Sequence, residues 1–290
     1  MRALVTRFAP SPTGRLHLGH AYSAILAHDA ARDAGGQFLL RIEDIDPGRS
    51  RAAFVDGIIE DLLWLGLQPD GEIVYQSERL PFYAAALDRL KAEGLVYPCF
   101  CTRSAIAAEV AASASAPHGP DGPHYPGICR RLSPDARAAR MAVEPHSWRL
   151  DVGQAASRAG PFSWHDEHAG EVAADPACFG DVVLARKDAP VSYHLAVTVD
   201  DADQGVTHVI RGRDLFAATH VHRLLQALLG LPVPLYRHHG LLIDAEGRRL
   251  AKRHGAPTIA DLRAGGADPA ALAAALRMGQ MPGGYSLAST

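Results

Sequence analysis

Apolar positions along the chain change period several times, and each change marks an element. Residues 4–8 read as a buried strand, and residues 18–34 as a helix with Leu18, Tyr22, Ile25 and Leu26 at helical spacing. Gly35-Gly36 closes that helix, and residues 38–42 form a second strand. Strand, helix, strand in quick succession is a βαβ unit, which implies a parallel sheet with a right-handed crossover. Helices are expected over 54–65 and 80–93, each closed by a glycine, Gly66 and Gly94. From Cys99 to about Gln154 the periodicity lapses, and Ala, Ser, Pro and Gly crowd residues 113–126, the texture of an insertion with a flexible segment. Apolar alternation returns at 182–184. Over 191–199 the pattern alone cannot separate strand from helix. A strand at Val209-Ile210 and a helix over 221–229, ended by Gly230, complete a second α/β half. Short helices opened by Thr258 and by Asp268-Pro269 follow within 257–278.

These elements predict an α/β protein built on a doubly wound parallel sheet. Such sheets bind nucleotides beyond the carboxyl ends of the strands, where the two halves meet. The expected division is 1–98 and 181–245 for the halves of the nucleotide-binding domain, 99–180 for the insertion, and 246–290 for a loop with C-terminal helices.

Composition narrows the class. The chain has 290 residues, 48% hydrophobic and 21% charged, ordinary for a globular protein with ample material for a core. No apolar run approaches the ~20 residues that span a bilayer, and no signal-peptide pattern opens the chain. A cytoplasmic protein without a membrane partner, working as a monomer, is expected. The net charge of −3 argues against an extended basic surface for nucleic acid, though a local patch can still serve an RNA arm. Lysine occurs only at Lys91, Lys187 and Lys252, and elsewhere arginine carries the positive charge. Base composition can produce that skew, yet a lysine kept within Leu250-Ala251-Lys252-Arg253 also suggests that a compact ammonium is wanted there.

The chemistry lies in blocks. Arg7-Phe8-Ala9-Pro10-Ser11-Pro12-Thr13-Gly14 runs from a strand into a loop, and His17-Leu18-Gly19-His20 opens a helix. A helix N-terminus offers unpaired N–H groups and a positive dipole end to phosphates. His17 and His20 add donors, and Gly19 leaves room for a flat ring such as adenine. Then come Arg41-Ile42-Glu43-Asp44, Tyr193-His194-Leu195-Ala196, Ile210-Arg211-Gly212-Arg213-Asp214 and Arg249-Leu250-Ala251-Lys252-Arg253. In this order the blocks resemble the catalytic core of a class I aminoacyl-tRNA synthetase of the glutamyl type, over roughly residues 4–260. The first matches its "HIGH" element and the last its mobile "KMSKS" loop.

The resemblance implies a Rossmann-like fold with a zinc-binding insertion, and activation of L-glutamate by ATP with Mg2+. His17, Gly19, His20 and Lys252 would bind ATP, with His17, His20 and Lys252 catalytic. The glutamate residues would be Arg7, Phe8, Ala9, Pro10, Ser11, Glu43, Tyr193 and Arg211. Glutamate carries two carboxylates and an ammonium, so two cations and an anion suit it. An arginine fork rejects glutamine because an amide would set a donor against a donor. Which arginine meets which carboxylate stays open, as does the plainer reading that Glu43 pairs with Arg41 on a surface turn. Arg249 and Ala251 depart from the family's lysine and serine.

Four cysteines in a cytosolic chain favour metal or free thiols over disulfides. Cys99, Cys101 and Cys129 fall in the insertion, whereas Cys178 stands apart and is expected to be a small buried hydrophobe. Zinc wants a fourth ligand. Ligand chemistry offers His124 or His118, and the family's Cys-x-Cys then Tyr-x3-Cys pattern points to Tyr125. The resemblance is strongest to a short branch of the family that passes glutamate to queuosine of tRNA(Asp), an expectation fitted by the 37 residues (290 − 253) after Arg253. Activation without tRNA is expected, because every residue needed lies in one core. A shortened enzyme charging the 3′ end of tRNA(Glu), or a silent RNA-binding relative, are the alternatives.

Overall fold

The computed structural model describes residues 3–112, 118–120, 122–243, 257–280 and 285–288. Strand β1 (Val5–Phe8), helix α1 (Leu18–Asp33) and strand β2 (Gln37–Ile42) form the expected βαβ unit, with β1 and β2 parallel and Phe8 opposite Leu40. Helix α2 (Ala52–Trp64) carries the chain to β3 (Val74–Tyr75), which pairs parallel to β2, and α3 (Leu80–Ala92) follows.

The middle of the chain is more varied. It contains β4 (Val96–Cys99), α4 (Arg103–Ala112), the small hairpin β5 (His118–Gly119) with β6 (Gly122–Pro123), and α5 (Pro134–Met141). There follow β7 (Ser147–Leu150), α6 (Val152–Ala159), β8 (Ser163–Asp166), β9 (Gly170–Ala173) and β10 (Val183–Ala185). The second half is α7 (Tyr193–Asp203), β11 (His208–Gly212), α8 (Ala218–Leu229) and β12 (Leu235–His239). Strand β13 (Leu242–Ile243), helices α9 (Ile259–Ala264) and α10 (Pro269–Arg277), and strand β14 (Ser286–Leu287), which pairs antiparallel with β13, end the described chain.

Strands β11 and β12 are parallel, and β11 abuts β1 through Thr207, whose N–H donates to the Val5 carbonyl at 3.0 Å. The sheet order therefore runs β3-β2-β1, then β11-β12-β8-β9, and the chain reverses its direction of travel across the sheet at β1 and β11. Strand β8, from within 99–180, joins this main sheet parallel to β12. A separate antiparallel sheet, β10-β7-β4, draws its strands from both sides of residues 98 and 180.

Helix α1 buries Leu18, Ala21, Ala24 and Ile25 against Phe38, Leu40 and Ile42 of the sheet, and Ile58 and Leu62 of α2 join the same core. Burying such side chains is worth roughly 1.5–3 kcal/mol each, which holds the helix on the strands. Residues 191–199, ambiguous by pattern, lie mainly in α7. That helix packs against both α3 and α8 and buries Leu195, Ala196, Val197 and Thr198, so it lacks the polar face that would have revealed its period.

Candidate active site

A cavity of about 510 Å3 opens where the sheet reverses, beyond the carboxyl ends of β1, β11 and β12. Arg7, Phe8, Ala9, Pro10 and Ser11 enter from β1 and its loop, and Glu43 from the end of β2, its N–H donating to the Pro10 carbonyl at 3.0 Å. Tyr193 comes from the start of α7 and Arg211 from β11, while His17, Gly19 and His20 line the opposite wall. Lys252 lies outside the described residues, as do Arg249 and Ala251. The described chain on both sides of that segment meets the cavity: Leu242 lines it, and Thr258 forms a bridge with His17 while Ile259 N–H donates to Leu16 O at 2.9 Å.

The histidines close the helix end reciprocally. His17 is the N-cap of α1, its Nδ1 accepting from Gly19 N–H at 3.1 Å, and His20 Nδ1 accepts from His17 N–H at 3.2 Å. Their ring centroids are 3.8 Å apart. A Cβ on Gly19 would lie 3.0 Å from His17 Cε1, so the missing side chain also seats that ring. Gly212 is more tightly confined, since a Cβ there would come 2.5 Å from Asp214 Oδ1 and 2.9 Å from Leu241 Cδ2.

Charge is buried unevenly around Arg7, Glu43 and Arg211. Arg7 Nε donates to Asp201 Oδ1 at 3.0 Å, and Arg41 Nη2 reaches the same oxygen at 2.8 Å. Arg41 is fully buried, 3.7 Å from Asp200 and 4.0 Å from Glu43, so Glu43 and Arg41 do pair, but in the interior rather than on a surface turn. Asp200 in turn accepts from Gln76, Arg79 and Tyr83. Burial pushes the Glu43 carboxyl up to about 7 against the pull of Arg41 and Arg7. Despite its burial, Asp201 is held below the ordinary carboxylate value by Arg7 and Arg41. Arg211, 5% exposed, donates to His238 Nε2 at 3.1 Å, Tyr193 OH at 3.2 Å and Thr219 Oγ1 at 2.7 Å.

The cysteines form a second cluster. The sulfurs of Cys99, Cys101 and Cys129 all lie within 4.8 Å of one another, enclosed by Tyr97, Phe100 and Tyr125. Cys101 Sγ is 3.5 Å from Tyr125 OH, and Cys129 N–H donates to that hydroxyl at 2.8 Å. Three thiols with a phenol beside them are a donor set that suits zinc. His124 turns away and bonds the Cys178 carbonyl at 2.7 Å. Cys178 lies apart from the cluster and is half-buried, less enclosed than the small buried hydrophobe expected.

The family model "tRNA synthetases class I (E and Q), catalytic domain" matches residues 3–286. The chain belongs to this family. A protein of Rhodobacter capsulatus named "Glutamyl-Q tRNA(Asp) synthetase" is 52% identical over 92% of this chain and 97% of its own length. A "Glutamate--tRNA ligase" of Oleidesulfovibrio alaskensis is 40% identical over 94% of this chain and 56% of its own. Among solved structures, a glutamate tRNA ligase from Elizabethkingia meningosepticum in complex with its amino acid superposes with a TM-score of 0.74 at 28% identity. The match covers 89% of this chain and 54% of that one, so the chain spans about half the ligase.

For a synthetase of this class the cavity holds residues that sequence reasoning passed over. His239, Gly240, Leu241 and Leu242 line it just before the undescribed segment, and Tyr22 packs edge-on to His239 with centroids 5.1 Å apart. The run His238-His239-Gly240 had no spacing signature of its own. Asp200 and Asp201, beneath the pocket, lie in a helix whose period was masked because most of its residues are buried or half-buried.

Proposed function

We propose that this protein activates L-glutamate with ATP and Mg2+, without tRNA, and transfers it to queuosine in the anticodon of tRNA(Asp). The observation that carries the reading is near end-to-end similarity to relatives of that name, against a match to only 56% of the glutamate ligase. The pocket chemistry supports it. Arg7 and Arg211 suit carboxylates, Glu43 an ammonium, Tyr193 a hydroxyl contact, and the Phe8–Ser11 backbone the rest of the amino acid. His17, His20 and the N–H groups at the start of α1 suit the phosphates, with Gly19 beside the adenine. Lys252, which lies between Leu242 at the cavity and Thr258 bridged to His17, would stabilise charge on the leaving pyrophosphate. Positioning the carboxylate against the α-phosphate is the larger part of such a reaction.

In this reading residues 1–98 and 181–245 act as the catalytic halves, 99–180 as the insertion, and 246–290 as the closing loop with its supporting helices. One zinc would be held by Cys99, Cys101, Cys129 and Tyr125, stabilising the insertion rather than taking part in catalysis. The protein would work in the cytoplasm as a monomer. No helix among the described residues is long and apolar enough to cross a membrane.

The test is labelled glutamate offered with queuosine-containing tRNA(Asp) stripped of its 3′ adenosine. Label should enter that RNA and should not enter an unmodified transcript. Equal labelling of the transcript, or efficient charging of tRNA(Glu), would instead favour a shortened glutamyl-tRNA synthetase. Glutamate-dependent pyrophosphate exchange should proceed with no tRNA. Lys252→Ala should lower it on the order of a hundredfold, while Lys91→Ala, on α3 beside Asp88, should leave it unchanged.

A further inference from the structure

Arg211 differs from Arg7, which also lines the cavity, and from the buried Arg41 in having no carboxylate within ion-pair distance among the described residues. Its five N–H bonds meet five neutral acceptors: His238 Nε2, Tyr193 OH, His222 Nδ1, Thr219 Oγ1 and the Leu215 carbonyl. A guanidinium can only donate, so both ring nitrogens facing it must be lone-pair acceptors. His238 therefore carries its proton on Nδ1 and donates to Asp166 Oδ2 at 2.8 Å. His222 carries its proton on Nε2 and donates to His194 Nδ1 at 3.2 Å. Asp166 is the nearest acid along this chain of bonds, one imidazole removed from Arg211. A buried cation with full hydrogen bonding but no counter-charge is costly until an anion arrives.

We infer that His222 and His238 are positioning residues that hold Arg211 as an uncompensated cation, so that a glutamate carboxylate supplies its missing charge and glutamine is rejected. This rests on the function proposed above and extends it to the specificity of the same pocket. Neutral acceptors fix the direction of the guanidinium without cancelling it. An internal carboxylate in the same place would form a permanent pair and compete with the substrate. Tyr193 OH, one of the longer contacts and itself on the cavity wall, is the acceptor a substrate oxygen can replace with least rearrangement.

The experiment compares His222→Glu, His222→Leu and His222→Asn by tRNA-independent pyrophosphate exchange, with thermal unfolding and calorimetric glutamate binding alongside. His222→Glu places a carboxylate on Arg211 and should raise the KM for glutamate by roughly a hundredfold, with kcat within about threefold and glutamine discrimination reduced. His222→Leu removes the acceptor and should raise KM about tenfold. His222→Asn restores an acceptor near the Nδ1 position and should return KM to within about threefold of the original. His238→Gln against His238→Leu repeats the comparison on the other ring, should a His222 variant fail to fold. A His222→Glu enzyme with unchanged KM, or three variants that lose stability and kcat together while KM stays constant, would overturn the assignment. Failure of the unaltered protein to label queuosine-containing tRNA would count against the proposed acceptor alone, because these readouts use no tRNA.

Discussion

Where Arg7 enters the cavity it is already matched by Asp201, which it shares with the buried Arg41; where Arg211 enters, every acceptor around it among the described residues is neutral. Both arginines are nearly inaccessible to solvent, so exposure does not explain the contrast. The first arrangement spends its charge inside the fold, tying β1 and β2 to α7. Arg7 can add a ligand only through the terminal nitrogens that Asp201 leaves unused. The second keeps its charge and spends only hydrogen bonds. Two residues of one type can thus line the same cavity, one with its charge committed to the fold and the other with its charge kept.

The largest expected effect breaks the second arrangement. Arg211→Ala should cut kcat/KM for glutamate-dependent exchange on the order of a thousandfold, with little change in the unfolding midpoint. A large drop in stability with modest kinetic loss would mean that Arg211 is structural after all.

Asp201→Asn attacks the first arrangement. It leaves Arg7 and Arg41 without their shared counter-charge and should cost about 3 kcal/mol in urea unfolding. An Asp201→Asn protein of normal stability whose only defect is glutamate affinity would erase the distinction between the two regions.

Glu43 lies between them, and its behaviour with pH sharpens the contrast. Its value near 7 in the folded chain exceeds the ordinary 4.5, so the folded state holds the proton more tightly. The stability this contributes is fully present below the unfolded value and is lost as pH rises through about 7. In the proposed role of Glu43, binding of the substrate ammonium would run the other way, because it needs the ionised carboxylate. KM for glutamate should therefore rise as pH falls below about 7, approaching tenfold per unit, and Glu43→Gln should flatten that profile. A flat profile in the unaltered enzyme would remove Glu43 from ammonium binding.

The smallest effect on the pocket is expected from the cysteine cluster, which serves as a reference outside both regions. Purified protein should hold about one zinc per chain, lost in Cys101→Ser and weakened in Tyr125→Phe, while the KM for glutamate changes less than about twofold. Full metal retention in Cys101→Ser would refute the cluster as a site. Full retention in Tyr125→Phe alone would move the fourth ligand to another donor.

Sequence alone determined the elements whose signals are local. The βαβ unit at the start, the helices closed by Gly66, Gly94 and Gly230, and the caps at Thr258 and Asp268 could be read from apolar spacing and turn chemistry, because neighbours along the chain dictate them. The ordered blocks also made the family legible, since each block is a short contiguous run. Long-range pairing was another matter. That β8 joins the main sheet beside β12, and that β10, β7 and β4 make a sheet of their own, depends on partners far apart in the chain and leaves no periodic trace. The cysteines were visible as a spacing, but only the fold turned Tyr125 toward them and His124 toward the Cys178 carbonyl. Only the tertiary structure decided the wiring of the arginines. An Asp201 hidden in an evenly buried helix and a His238 from a distant strand become partners through burial in a low-dielectric interior, where each charge must find either a counter-charge or a full set of neutral acceptors.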